Sequence, residues 1–301
     1  MKTPLLIAIF LFSLFAKAEV FVVSEDAGFD SANSTNFLQF ALYEATDTLL
    51  IDNVGEPWIT GPLIVNNSNL TIVLESGTVM NALEGAYGEF DPMFRIRDVE
   101  NITVLGYGAF IQMNKQEYID LADSEFRHAF NLGSVVNFRM EGLEIKDSGG
   151  DGLLIGKSFQ PGSTQNYCEN LVIRNCIFDN NYRQGISIVS VKDCLIENCI
   201  MKNTIGTLPE AGIDIEPDDP AERIEELVIQ NCQFINNNGN GIMLALFYLD
   251  DSSLDVSVTV EDCYFEDNFT LSNIYAYAEI ACLDNKGNGV DGFVNFERCY
   301  V

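Results

Sequence analysis

The stretch "NLVIRNCIFDNN" (residues 170–181) decides the fold, because a segment of the same pattern returns six more times along the chain. Each copy has a few positions at which apolar residues alternate, followed by Asn, Asp or Gly at a bend. The other copies begin at Asn69, Asn101, Asn137, Asp193, Glu226 and Val256. A short repeated unit of this kind indicates a solenoid, in which each unit packs against its neighbours.

A second apolar segment follows the bend in several copies, as "GLLI", "GISI", "GIDI" and "GIML". Short alternating runs are typical of strands, whereas an amphipathic helix needs apolar residues three to four apart over a longer window. Equivalent strands of successive coils would pair in parallel about 4.8 Å apart, and parallel crossovers are right-handed. The sequence therefore predicts an all-β protein, a single-stranded right-handed parallel β-helix that occupies residues 19–301 as one domain.

The two ends of the chain carry different signals. Residues 1–18 combine Lys2, an apolar run and a small-residue site at residues 16–18, which predicts a signal peptide and export to the extracellular space or periplasm. Residues 34–51 begin with a Ser/Thr cap and place apolar side chains on one face, which predicts a short capping helix over the end of the barrel. The sequence stops inside a repeat at "NFERCYV", as expected for a β-helix truncated before its last coils.

Charge narrows the range of partners. The chain has 45 acidic and 16 basic residues and a net charge of -29, which repels phosphate backbones and anionic membrane surfaces. We expect neither nucleic acid nor a membrane as a partner. The same charge favours a neutral glycan, or an anionic one bridged by cations.

Eight cysteines in an exported protein would ordinarily suggest disulfides. Five of them occupy one position of the repeat: Cys176, Cys199, Cys232, Cys263 and Cys299. Their Cβ vectors would run parallel in a stack, which is poor geometry for a disulfide. We therefore expect buried free thiols.

Two sets of motifs connect the chain with known proteins. "PWITGPLIVNNSNLTIVLESGTVMNA" (residues 57–82) looks like the opening coils of polygalacturonase-type glycosidases, and the chain as a whole resembles the pectin-lyase-like superfamily. "EFRH", "DSGGDGLLIG", "NNYRQGISI" and "AGIDIEPD" are similar to segments of secreted β-helix proteins. The resemblance implies the β-helix fold. The chain lacks the polygalacturonase catalytic motifs, since it has Asn203-Thr204-Ile205, a displaced Asp218-Asp219 pair and one histidine.

Alignment of the second strands identifies a candidate catalytic pair. Leu154, Ser187, Asp214 and Met243 share one outward column, and Glu216 lies two residues beyond Asp214. Two residues along a strand span about 6.7 Å, so the two carboxyls could flank a glycosidic bond. Asp151 precedes the equivalent strand two coils earlier and could reach the same groove. The alternatives are a solvated acidic edge or a Ca²⁺ site; Asp218 and Asp219 are assigned to the following loop.

Four further candidates come from "NNYRQGISI" (residues 180–188). Arg183, one coil from both Asp151 and Asp214, is a catalytic candidate that could bind a carboxylate or a sugar, serve as the base of a lyase, or only neutralise the acidic cluster. Gln184, Ser187 and Tyr182 are candidate substrate contacts. Tyr182 could stack on a sugar, or pack within its loop.

His128 is the only histidine, which excludes a multi-histidine metal site. Together with Arg127 it lies just before the coil that holds Asp151, so both are candidate substrate-binding residues at the edge of the groove, although a structural role for His128 is also open.

These observations favour a secreted, monomeric carbohydrate-active protein, a polysaccharide-degrading glycoside hydrolase with Asp151, Asp214 and Glu216 as acid, base or nucleophile. We expect no cofactor, with Ca²⁺ as the open alternative. A polysaccharide lyase or epimerase with Arg183 as its base, and a non-catalytic glycan-binding or adhesin module, are the competing hypotheses.

Overall fold

The chain folds into stacked coils of short parallel strands, as a computed structural model shows for residues 19–121, 125–270, 278–283 and 289–301. The predicted signal peptide, residues 1–18, lies outside these described residues. Each full coil contributes one strand in turn to three parallel sheets, and the coils ascend with a right-handed sense. The predicted all-β right-handed parallel β-helix is therefore confirmed.

The strands are grouped by sheet. Within the described ranges, sheet 1 contains Val20–Val22, Thr48–Ile51, Leu70–Leu74, Glu100–Leu105, Val136–Glu141, Cys168–Arg174, Val191–Glu197, Ile224–Gln230, Val256–Glu261 and Gly292–Glu297. Sheet 2 contains Trp58–Thr60, Val79–Ala82, Phe110–Gln112, Glu144–Lys146, Ile177–Asp179, Ile200–Lys202, Gln233–Ile235 and Tyr264–Glu266. Sheet 3 contains Leu63–Val65, Phe94–Arg97, Phe130–Gly133, Leu153–Gly156, Ile186–Ile188, Ile213–Ile215, Ile242–Ala245 and Ile280–Leu283.

The core runs along the axis of the coil. Each strand turns alternate side chains inward, so that residues in register stack on their equivalents one coil away. Phe94 and Phe130 stack in this way with ring centroids 4.8 Å apart, and Phe234 and Phe265 with centroids 4.7 Å apart. Such ladders bury apolar surface continuously, which is the main stabilising contribution in a fold without a globular centre.

Asparagine and aspartate fit the bends because the backbone there enters the left-handed region. Asn175, Asn198 and Asn231 have φ angles of 56, 55 and 54°, a conformation that Asn and Asp tolerate better than most residues. The side-chain amide ladder lies at a different bend: Asn101 donates to Asn69 at 2.8 Å, and Asn137 donates to Asn101 at 2.7 Å. Asn and Asp thus recur at the bends for two reasons: they tolerate a positive φ angle, and at some bends their side chains form hydrogen bonds to the next coil.

The cysteines are free thiols, as expected for a ladder. Six are buried, Cys299 is partly exposed and Cys282 is exposed. Burial raises the pKa of the Cys168 thiol to about 11, so this thiol stays protonated and acts as a core residue.

The N-terminal helix α1 covers the first coil over Thr35–Glu44. It is shorter than the predicted residues 34–51, because Thr48–Ile51 forms the second strand of sheet 1. Leu38, Ala41 and Leu42 are buried on the predicted face and join the barrel core. A π-helical turn at Val23–Ala27 and a second helix, α2, at Lys115–Leu121 were not predicted.

Candidate functional site

A cavity of about 550 Å³ lies on the outer face of sheet 3. It extends from the strand Phe94–Arg97 across the intervening coils to the residues that follow the strand Ile213–Ile215. Three aromatic rings stand at its rim: Phe90 and Phe126, stacked with centroids 5.1 Å apart, and Phe159. These rings are 61, 41 and 77% exposed. Large exposed aromatic groups around a polar cavity are typical of a binding site.

Four carboxyl groups line one end of this cavity: those of Glu125, Asp151, Glu216 and Asp218. Arg183 lies among them. Its Nη1 and Nη2 donate to Glu216 Oε1 and Oε2 at 2.6 and 2.7 Å, and its Nε lies 3.1 Å from Glu125 Oε2. Burial lowers the pKa of Arg183, but the negative charges of Glu216 and Asp151 outweigh it and raise that pKa well above the ordinary value. This environment disfavours Arg183 as a lyase base, because the base must lose its proton.

Asp214 does not face the cavity, contrary to the expectation of an outward acid pair. Its predicted column is confirmed, because it pairs in register with Ser187 and Met243. Its side chain is nevertheless only 1% exposed, and its Oδ2 accepts a hydrogen bond from Gln184 Nε2 at 3.0 Å. Burial raises the pKa of Asp214 well above the ordinary value, and the adjacent Glu216 raises it further. Asp214 therefore lies buried next to Glu216, in an environment that favours its protonated form.

Asp151 and His128 form the floor of the cavity. Asp151 is fully buried, and neither carboxyl oxygen has a hydrogen-bond partner among the described residues. The backbone N–H of Asp151 donates to His128 Nδ1 at 3.0 Å, and Asp151 Oδ2 lies 3.1 Å from the same nitrogen. His128 Nδ1 thus accepts the backbone N–H, and the two side chains are held against each other at the floor of the cavity.

Four predicted substrate contacts are placed elsewhere, and these expectations are corrected. Gln184 and Ser187 are fully buried and hold other site residues: the Gln184 Oε1 accepts from the Ala211 N–H at 2.8 Å, and Ser187 accepts from Arg183 at 3.3 Å. Arg127 is buried with its guanidinium over the Tyr118 ring.

The fourth, Tyr182, packs against the loop at Gly206 and is not among the residues that line the cavity. The alternation of residues along the strands predicted where these residues lie in the repeat. It did not predict that neighbouring coils and loops cover their side chains.

Several residues that line the cavity were not predicted from the sequence. Arg97 and Lys157 bring positive charge to the cavity, and Asp218, assigned by the sequence to a loop, does lie after the strand but faces the cavity. Partial burial, Glu216 and Glu222 raise the pKa of Asp218. The register was the available signal for Arg97, because it begins the row that continues through Gly133 and Gly156 to Glu216.

Among the described residues, no group of three or more His, Cys, Asp or Glu side chains is arranged to hold a metal ion, and the Ca²⁺ alternative stays a prediction.

Across the described ranges, no helix has both the length and the apolar character needed to cross a membrane.

The fold and the cavity define the class of protein: a parallel β-helix with a polar, aromatic-rimmed site on one sheet. Residues 98–292 match the family described as "Right handed beta helix region", and the chain belongs to this family. The chain is also 27% identical, over 203 residues, to the uncharacterized protein YclG of Bacillus subtilis (strain 168). That alignment covers 60% of this chain and 34% of YclG, so the chain spans about a third of this relative's length.

Solved structures share the architecture. An endo-xylogalacturonan hydrolase from Aspergillus tubingensis aligns with a TM-score of 0.66 at 13% identity, over 93% of this chain and 72% of that chain. An iota-carrageenase complexed to iota-carrageenan fragments aligns with a TM-score of 0.62 at 16% identity, over 83% of this chain and 56% of that chain. At such identities the likeness establishes the pectin-lyase-like fold, and the chemistry must be argued from the site.

Proposed function

We propose that the protein is a glycoside hydrolase that cleaves a polysaccharide lying in the cavity along the β-helix axis. One observation carries the proposal: two carboxyl groups line the same cavity in different settings, Glu216 held by two hydrogen bonds from Arg183 and Asp218, among the described residues, free of such a cation pair and with a raised pKa. Hydrolysis of a glycosidic bond needs one carboxylic acid and one carboxylate. The polysaccharide hydrolases named above share the β-helix fold, so the fold of this chain is compatible with such an activity.

Asp218 is suited to the role of general acid. It lines the cavity, and its pKa is raised by partial burial and by the negative charges of Glu216 and Glu222. A carboxyl group with a raised pKa is protonated more readily than an ordinary aspartate and can then donate its proton to the leaving oxygen.

Glu216 is suited to the role of carboxylate. The two hydrogen bonds from Arg183 use both of its oxygens as acceptors, which orients the group. In this proposal Glu216 activates the attacking water, and Arg183 and the buried Asp214 are positioning residues. Asp151 and His128 supply the polar floor on which the sugar rests.

Purified protein incubated with a panel of polysaccharides tests the activity. Reducing ends should accumulate without an unsaturated uronate product; an unsaturated product would support the lyase hypothesis instead. Glu216→Gln and Asp218→Asn should each lower the rate at least about a hundredfold, the usual contribution of a positioned acid or base. Asp219→Asn is the matched control, since Asp219 is a neighbouring exposed acid that does not line the cavity. Full activity in both test variants would contradict the assignment.

A non-catalytic glycan-binding module is the second candidate. The observation that favours it is the ion pair itself, because Arg183 neutralises Glu216 and weakens it as a base. Binding of a glycan without release of reducing ends would support this candidate over the hydrolase.

The proposal includes export and a monomeric state, as the sequence predicts. Mass spectrometry of protein recovered outside the cell should give a chain that begins at Glu19, and its mass in solution should be that of one chain.

A further inference from the structure

The cations of the cavity differ in whether they have an anionic partner. Arg183 is bound by Glu216, and Lys157 Nζ lies 2.7 Å from Glu222 Oε1. Arg97 has no such partner: among the described residues, no carboxylate oxygen lies within 4.0 Å of its guanidinium nitrogens. In a chain with 45 acidic and 16 basic residues, an arginine without a carboxylate is unexpected.

The surroundings of Arg97 leave part of its hydrogen-bonding capacity unused. Its Nη2 donates to Asn131 Oδ1 at 3.3 Å, and its buried Nε has no partner in the described part of the chain. The adjacent Asp98 is not available, because its two carboxyl oxygens accept from Ser158 and Ser163 at 2.5 and 2.6 Å. Burial and the neighbouring Arg95 lower the pKa of Arg97. An added anion would counter both effects.

Arg97 lies at the end of the cavity away from the carboxyl cluster. The carboxyl groups of the lining lie towards Glu216, and Lys157 lies near them through its contact with Glu222, whereas Arg97 and its partner Asn131 lie at the other end. Four coil steps separate the strand Phe94–Arg97 from the strand Ile213–Ile215, which corresponds to about 19 Å at the usual spacing of paired strands. Between them the row contains Gly133, Gly156 and Val189, and the two glycines project no side chain into the path.

We propose that Arg97 forms a subsite for an anionic substituent, a carboxylate or a sulfate, on a sugar several units away from the one at Glu216. The inference rests on the proposed function insofar as the ligand is a polysaccharide lying along the axis. The planar guanidinium suits both substituents, since each can accept paired hydrogen bonds. Such a ligand would differ from the neutral or cation-bridged one expected from a net charge of -29, because short-range contacts at Arg97 would oppose the long-range repulsion.

Calorimetric titration of the full chain with matched oligosaccharides tests the subsite. The probes are an oligogalacturonate with its carboxyl-reduced counterpart, and a sulfated galactan oligosaccharide with its desulfated counterpart. The charged member of one pair should bind at least about tenfold more tightly than its neutral counterpart, as a charge-assisted hydrogen bond provides. The pair that shows the difference identifies the substituent as carboxylate or sulfate.

Arg97→Gln should abolish this difference, and Arg97→Lys should retain part of it. Arg95→Gln is the matched control, because Arg95 lies on the same strand and carries the same charge but is paired with Asp91 at 3.2 Å. Thermal unfolding of the three variants should resemble that of the original protein. Equal binding of charged and neutral members, an equal loss for both in Arg97→Gln, or binding of neither pair would overturn the inference.

Turnover of the same oligosaccharides separates this inference from the proposed function. A charge-dependent difference that requires Arg97, without release of reducing ends, would retain the anion subsite and reject the hydrolase. Release of reducing ends that is the same for charged and neutral members and unaffected by Arg97→Gln would retain the hydrolase and reject the subsite.

Discussion

Arg183 and Glu216, on neighbouring coils, are joined by two parallel hydrogen bonds of 2.6 and 2.7 Å. Arg183 also approaches Asp151 Oδ1 at 3.7 Å, so one cation organises carboxyl groups from three coils. The stacked architecture permits this arrangement, because residues far apart in sequence come into register only when the coils stack.

Replacing Arg183 by Ala should destabilise the fold strongly. Removal of this largely covered cation leaves the partly buried Glu216 and the buried Asp151 without its positive charge, which costs up to about 3 kcal/mol in the free energy of unfolding. Urea unfolding at neutral pH measures this change. Arg298→Ala is the control, because the Arg298 ion pairs are exposed and screened by water. A similar small effect of both substitutions would show that the Arg183 network is not a structural requirement.

Stability should fall as pH rises above the pKa of an unfolded aspartate. The folded-state pKa of Asp214 is raised, so the folded protein holds a proton that the unfolded chain has already released above about pH 4. The free energy of unfolding should then decrease by up to about 1.4 kcal/mol per pH unit until the folded pKa is reached. Asp214→Asn, which keeps an acceptor for Gln184, should remove this slope above about pH 4. An unchanged slope in urea titrations would assign the proton to another group.

The thiols should react in two classes. Cys282 is exposed and Cys299 partly exposed, whereas the other six are buried, and burial raises the pKa of Cys168 to about 11. Because the thiolate is the reactive form, a thiol reagent should label Cys282 and Cys299 in the native protein and the remaining cysteines only after unfolding. Peptide mass spectrometry before and after denaturant distinguishes the classes. Rapid labelling of Cys168 or Cys194 in the native protein would contradict the burial of these thiols in the core.

The aromatic rim should contribute to ligand binding without supporting the fold. Phe90 is 61% exposed and stacks on Phe126 at the mouth of the cavity, so Phe90→Ala should weaken glycan binding severalfold while leaving thermal stability nearly unchanged. Phe110→Ala is the control, because Phe110 is also exposed but lies on sheet 2, away from the cavity. An equal loss of binding in both variants would indicate an indirect effect.

The repeat pattern was sufficient to predict the β-helix because its determinants are local. Alternating apolar residues specify strands, and Asn or Asp at the bend tolerates positive φ, as at Asn175. One-coil spacing brings equivalent residues into register, and the predicted column of Ser187, Asp214 and Met243 is the observed one. Helix α1 was predicted too long because an apolar face alone does not exclude the strand Thr48–Ile51.

The sequence by itself determined the repeat, the register of equivalent strands and the neighbourhood of Asp151, Arg183 and Glu216. Only the tertiary structure decided which of these groups are reachable: Asp214 is buried beneath Glu216, whereas Asp218 and Arg97 face the cavity. The physical reason is that alternation fixes whether a side chain points into or out of its own strand, but burial and pKa depend on the loops and neighbouring coils that cover it. Those coverings are contacts between distant segments, and no short stretch of sequence encodes them.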